Sequence, residues 1–121
     1  MALQIKRIYD PFQESDGIRL LVDRLWPRGI SKEKARLDGW VKELSPSPQL
    51  RTWFGHKAEH FEEFAGLYRA ELTANPQAQA AAEQVVFQSK EGNVTLLYGA
   101  KDPQINHAVV LKAYLEELSK V

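Results

Sequence analysis

No cysteine occurs in these 121 residues, the 16 acidic side chains cancel the 16 basic ones, and methionine appears once. Without thiols there is no disulfide framework, no thiolate nucleophile, and no zinc or iron–sulfur site that depends on sulfur. A pI near 6.8 provides no overall field to draw the chain onto nucleic acid or an acidic membrane. No apolar run approaches the roughly 18 residues that a membrane helix needs. The start, MALQIKRIYD, lacks the basic and then apolar regions of a secretory signal. These absences predict a cytoplasmic domain without membrane partners, its function resting on how charges are arranged.

The content that remains is ordinary globular composition: 44% hydrophobic, 10% aromatic and 26% charged. The length suits one domain, residues 1–121, able to bury about two-thirds of its unfolded surface. LQIKRIY at 3–9 alternates as a strand, and Asp10-Pro11 ends it. PFQESDG at 11–17 reads as a loop closing in an Asp16-Gly17 turn. Residues 18–26 carry a continuous apolar centre, Leu20-Leu21-Val22, expected of a strand buried on both faces. Ser31 reads as the cap of a short helix over 31–36, and Trp40-Val41 as a short third strand within the ambiguous stretch 37–44.

Ser47-Pro48 opens a helix that Gly55 ends. Over 58–74, Phe61, Phe64, Ala65, Tyr68 and Leu72 share one face, with Glu59, Glu62 and Glu63 in solvent. Asn75-Pro76 starts an alanine-rich helix, and Val94–Tyr98 is a second buried strand. Asp102-Pro103 reads as the cap and first residue of a last helix, with Ala108, Leu111, Leu115 and Leu118 as its core stripe. Strands alternating with helices predict an α/β domain: a small, mostly parallel, Rossmann-like sheet flanked by helices.

In such sheets ligands bind beyond the carboxyl ends of the strands, so the residues following each strand matter most. They are Asp10; then Asp23, Arg24, Trp26 and Arg28; then Lys101, Asn106 and His107. Arg24, Arg28 and Lys101 have the donor chemistry that holds phosphate or carboxylate, and Asp23 can orient them. A histidine exchanges protons near neutrality, making His107, with Asp23, the pair expected to act if chemistry occurs. Trp26 reads first as a packing anchor and second as a ligand contact; Asn106 as a cap or a ligand contact. No metal ligand set and no cofactor fingerprint is spaced for binding, since His107 has no partner four residues away. The cluster Arg51-Thr52-Trp53-Phe54-Gly55-His56 reads as a helix end locked to the core, with a role for His56 the lesser alternative.

The expected ligand is therefore a small anion. A second reading is a nucleic-acid-associated module, because eight Lys and Arg face five Asp and Glu within the first 36 residues. A third is a scaffold using the 58–74 or alanine-rich helix as a dimer face.

LLVDRLWPRG at 20–29, SKEKARLDGWVKEL, SPSPQLRTWFGH and TLLYGAKDPQINHAVVL together resemble the YeaO-like family of bacterial proteins, within domain-of-unknown-function family 488. The resemblance spans nearly the whole chain. It implies a small Rossmann-like α/β domain without an established activity. Members of the broader family often follow the last strand with D-P-x-x-C-H-R. Here Asp102 and His107 are kept, while Asn106 stands at the cysteine position and Ala108 at the arginine position. The resemblance thus implies that any cysteine-based reaction among relatives is closed to this chain.

Overall fold

Four strands pair in parallel: β1 (Ala2–Arg7), β2 (Ile18–Leu21), β3 (Gly39–Trp40) and β4 (Asn93–Tyr98), in the order β1-β4-β2-β3. The computed structural model describes residues 2–120. The two strands with continuous apolar sequence, β2 and β4, occupy the interior positions, where each side chain meets a covered face. β2 stops at Leu21, short of the expected 18–26, although Val22 still donates to the Leu97 carbonyl at 3.0 Å. Asp23 and Arg24 then leave the sheet at its rim.

Alternation along the strands sends Leu20, Val22, Val94, Leu96 and Tyr98 into one core, and Ile8, Leu21 and Leu97 into another. The larger core lies under α2 (Pro48–Phe54), α3 (Phe61–Ala74), α4 (Pro76–Glu91) and α5 (His107–Ser119). Phe64, Tyr68 and Leu72 supply the fully buried stripe of α3; Ala108, Leu111 and Leu115 supply that of α5. Fully burying one such large apolar side chain contributes about 1.5–3 kcal/mol. The smaller core is closed by α1 (Lys32–Ala35), Trp26, Ile30, Leu37 and Trp40. All the long helices thus sit on one face, and a loop with one helical turn covers the other.

The expected caps form at Ser31, Ser47 and Asn75, whose side chains accept from the Lys34, Leu50 and Gln77 backbone N–H groups. The start of the last helix differs from expectation. Asp102 does cap backbone, but its Oδ1 takes the Gln104 and Ile105 N–H groups at 2.8 and 3.1 Å in a separate turn. α5 begins at His107, capped by Asn106, whose Oδ1 accepts from Val109 N–H at 3.0 Å. Both residues satisfy the grammar of a helix start, and the extended backbone at Asn106 decides which one begins the helix.

Residues 8–17 carry the chain from β1 over the smaller core to β2, pinned by a buried ionic knot. Asp16 and Arg19 are 0% and 1% exposed and paired, with Lys6 on Asp16 at 2.9 Å. Arg19 also donates to the Ala35 carbonyl, and Thr95 Oγ1 to the Asp16 carbonyl. Gly17 closes the crossing at φ 66°, where a Cβ would lie 2.1 Å from the Asn93 carbonyl oxygen. Only glycine fits there.

Candidate functional site

Because all four strands run the same way, the loops after β1, β2 and β4 converge, and the end of α2 joins them. Together they enclose a cavity of about 430 Å³. Its wall includes Tyr9 after β1, Asp23 to Arg28 after β2, Gly99, Ala100 and His107 around the end of β4, and Arg51, Phe54 and His56 from α2.

Asp23 is the most constrained of these. Its carbonyl accepts from the Trp40 indole N–H at 2.6 Å, and its Oδ2 accepts from Gly99 N–H at 2.9 Å. His107 Nε2 stands 3.2 Å from Asp23 Oδ1 and 3.0 Å from the Val22 carbonyl. Both neighbours are acceptors, so the ring proton sits on Nε2. A ring N–H has one direction, and here it serves Val22. Asp23 Oδ1 lies within ionic distance but off the N–H axis, and has no hydrogen-bond donor among the described residues.

Three arginines line the cavity along with this single carboxylate: Arg24, Arg28 and Arg51. Arg24 donates Nε to the Pro46 carbonyl at 3.2 Å, which aims the rest of its fork. The Arg28 carbonyl accepts from Tyr9 Oη at 2.5 Å, which fixes the loop while its side chain stays exposed. Among the described residues no carboxylate lies within 4.0 Å of any of the three. His56 is held just beyond the α2 end in the left-handed region, φ 58°, directly after Gly55 at φ 52°. A non-glycine residue in that region costs free energy that the surrounding packing must supply, and such residues concentrate at functional sites.

Beneath the floor, burial pushes the Tyr68 phenol well above its ordinary pKa; nearby Asp23 and Glu71 add to the effect and Arg24 opposes it. Tyr68 therefore keeps its proton, its O–H hydrogen-bonded to the Leu44 carbonyl, and serves as packing under His107 rather than as a base.

Of the residues singled out from sequence, the fold gathers Asp23, Arg24, Trp26, Arg28 and His107 on one cavity. Trp26 is committed to packing, its indole N–H on the Ile30 carbonyl and its ring edge-on to Trp40 at 5.5 Å, with only one side on the cavity. Lys101 is exposed and lies off the cavity wall. Asn106 is fully buried and spends both ends of its amide on backbone, Nδ2 on the Asp102 carbonyl and Oδ1 on Val109 N–H. Tyr9 and Arg51 are the residues that sequence order hid, and His56, whose role is the lesser alternative in the sequence, joins them on the wall. Arg51 and His56 sit in a separate stretch of chain, and only α2 packing brings them to the rim.

Four cations of the basic N-terminal third have partners within the chain. Lys6 and Arg19 are spent on Asp16, Arg7 donates Nε to the Ala100 carbonyl at 2.8 Å, and Arg36 lies over Phe12 at 4.2 Å. No group of three or more His, Asp or Glu is placed to hold a metal among the described residues. Among them, no helix is long and apolar enough to cross a membrane.

Residues 2–120 match the family described as the Inactive DUF488-N3 subclade. The chain belongs to that family. It is 44% identical over 118 residues to the uncharacterised protein YeaO of Escherichia coli K12, covering 98% of this chain and 100% of that one. Uncharacterised proteins of Mycobacterium tuberculosis and Mycobacterium bovis are 35% identical over 113 residues, covering 93% of this chain and 92% of theirs. No solved structure gives a significant match. The resemblance to YeaO-like proteins read from VDRLWPRG and GAKDPQINH is therefore shown, and with it a family of unknown function. VDRLWPRG supplies much of the cavity wall.

Gly99 tests how tightly this wall is built. A Cβ there would stand 3.0 Å from Asp23 Oδ2 and 3.4 Å from Pro27 Cβ. Gly99→Ala is expected to cost about 1–2 kcal/mol of stability through overpacking and to displace the Asp23 carboxylate. Urea unfolding measures the first effect, and the backbone NMR shifts of residues 22–24 report the second. Unchanged shifts would mean that the wall is softer than described.

Proposed function

We propose that this domain binds a small phosphate-like anion in the cavity at the strand ends, and that it holds the ligand rather than transforming it. The reading rests on one observation: three arginines line one cavity with no carboxylate among the described residues pairing any of them, around a single Asp. Guanidinium groups left without counter-ions in a concave site are disposed to fork around phosphate oxygens. Arg24 and Arg28 hold the anion, Arg51 closes the charge from the α2 side, and Trp40 and Gly99 hold Asp23 in the wall. Lys101 lies outside this cavity and Asn106 serves as a cap, so neither enters the proposed contact set. Binding without turnover is supported by the family description, which carries the word inactive. It is also supported by Asn106 and Ala108, which stand where the broader pattern places cysteine and arginine.

Titration calorimetry with inorganic phosphate tests the proposal. Saturable binding at one site is expected, weakening several-fold as ionic strength rises from about 0.01 M to 0.15 M, because the cations are partly open to solvent. Heats no larger than dilution at millimolar phosphate would refute it. A shift of labelled single- or double-stranded DNA or RNA at low salt, with no phosphate binding, would favour the nucleic-acid reading instead.

A further inference from the structure

Resting on the anion reading, we infer that Asp23 makes the cavity selective for an anion that carries its own hydrogen-bond donor, such as hydrogen phosphate, over a fully deprotonated anion such as sulfate. A cavity built only to attract negative charge has no use for a carboxylate in its wall. Asp23 is there nonetheless, its side chain 20% exposed, held at its carbonyl by Trp40 and at Oδ2 by Gly99. An ionised carboxylate offers about four acceptor sites. One aligned donor, Gly99 N–H, reaches Oδ2, and Oδ1 has none among the described residues. Oδ1 is enclosed and out of a ligand's reach, so a donor brought into the cavity is taken at Oδ2, which has room for more than the one bond from Gly99 N–H.

The neighbouring groups do not bring one. His107 has one proton on Nε2, directed at the Val22 carbonyl. The Arg24 Nε is engaged with Pro46, and no guanidinium lies within 4.0 Å of the carboxylate. Gly99, on the same wall, leaves bare backbone beside Oδ2 where any other residue would place a Cβ at 3.0 Å. A ligand seated among the arginines therefore meets a carboxylate along with them. A bare oxyanion is repelled by it. A P–O–H or a C–O–H group donates to it.

Phosphate and sulfate are close in size and shape, and at about pH 8 both carry near to two negative charges, but only phosphate keeps a proton. Calorimetry with each ion separately, on the full chain, is the test. Phosphate is expected to bind at least about tenfold tighter than sulfate, the scale of one hydrogen bond to a charged group. Asp23→Asn is neutral and of the same shape, and its carbonyl can still accept from Gly99 N–H. It should bring the ratio towards one, with sulfate gaining affinity.

Two phosphomonoesters identify the source of the donor. Ethyl phosphate has no hydroxyl and little remaining proton at that pH, whereas glycerol phosphate carries hydroxyls. Glycerol phosphate binding where ethyl phosphate does not places the donor on the ligand's organic part; inorganic phosphate alone binding places it on the phosphate. Either result supports the inference. Equal affinity of the wild-type chain for phosphate and sulfate overturns it while leaving the anion site standing, and this comparison does not depend on the variant folding. Failure of every anion to bind overturns the site and the inference together.

Discussion

Asp16→Ala is expected to lower folding stability by about 3–5 kcal/mol, the range for breaking a buried ion pair from one side. Asp16 is fully buried and accepts from Lys6, from the Gln13 backbone N–H and from Arg19. Removing it leaves Arg19, itself 1% exposed, with the Ala35 carbonyl as its remaining hydrogen-bond partner among the described residues and the Phe12 ring 5.3 Å away. Lys6, more open and still able to reach the Pro11 carbonyl, suffers less. Equilibrium urea unfolding should show the midpoint falling with little change of slope. A loss under about 1 kcal/mol would mean that water or local rearrangement rescues Arg19.

The same group makes an acid-stability prediction. Burial alone would raise the Asp16 pKa, but hydrogen bonds from Lys6, Gln13 and Arg19 more than offset it and hold it below the ordinary aspartate range. A carboxylate with a depressed folded pKa stabilises the fold fully above its unfolded value of about 3.9 and loses that contribution as pH falls through the folded value. The wild-type chain should therefore lose stability below about pH 4. The Asp16→Ala chain, lower throughout, should show less of that particular slope.

Arg28→Glu combined with Arg51→Glu is expected to weaken phosphate binding by at least about a hundredfold, or roughly 2.7 kcal/mol. The cavity would pass from three guanidinium groups and one carboxylate to one guanidinium group and three carboxylates. Both side chains are exposed and neither has an ion-pair partner among the described residues, so the fold should change little, within about 0.5 kcal/mol per site. Calorimetry gives the affinity and urea unfolding the control. Retained affinity in a folded double variant would place the anion elsewhere.

How far the sequence could be read depended on whether a feature was local. Continuous apolar runs located β2 and β4 in the sheet interior because burial on both faces leaves no polar alternation. Ser31, Ser47 and Asn75 announced their helices because a cap acts within one turn. Asp102 misled because its side chain does cap backbone, only of a turn and not of a helix. The loops after the strands pointed to Asp23, Arg24, Arg28 and His107, since parallel topology alone brings those ends together. Arg51 and His56 needed the packing of α2 against α3, which no spacing reveals. Lys6 and Arg19 count among the eight cations of the first 36 residues and are the partners of Asp16; a charge count does not see which charges pair.

The most direct examination of the anion site is a crystal structure of the full chain grown in phosphate. A tetrahedral ion is expected inside the cavity, its oxygens about 2.7–2.9 Å from guanidinium nitrogens of Arg24, Arg28 and Arg51, with one oxygen turned to Asp23. Phosphate bound only elsewhere, with the three arginines extended into solvent, would contradict the site.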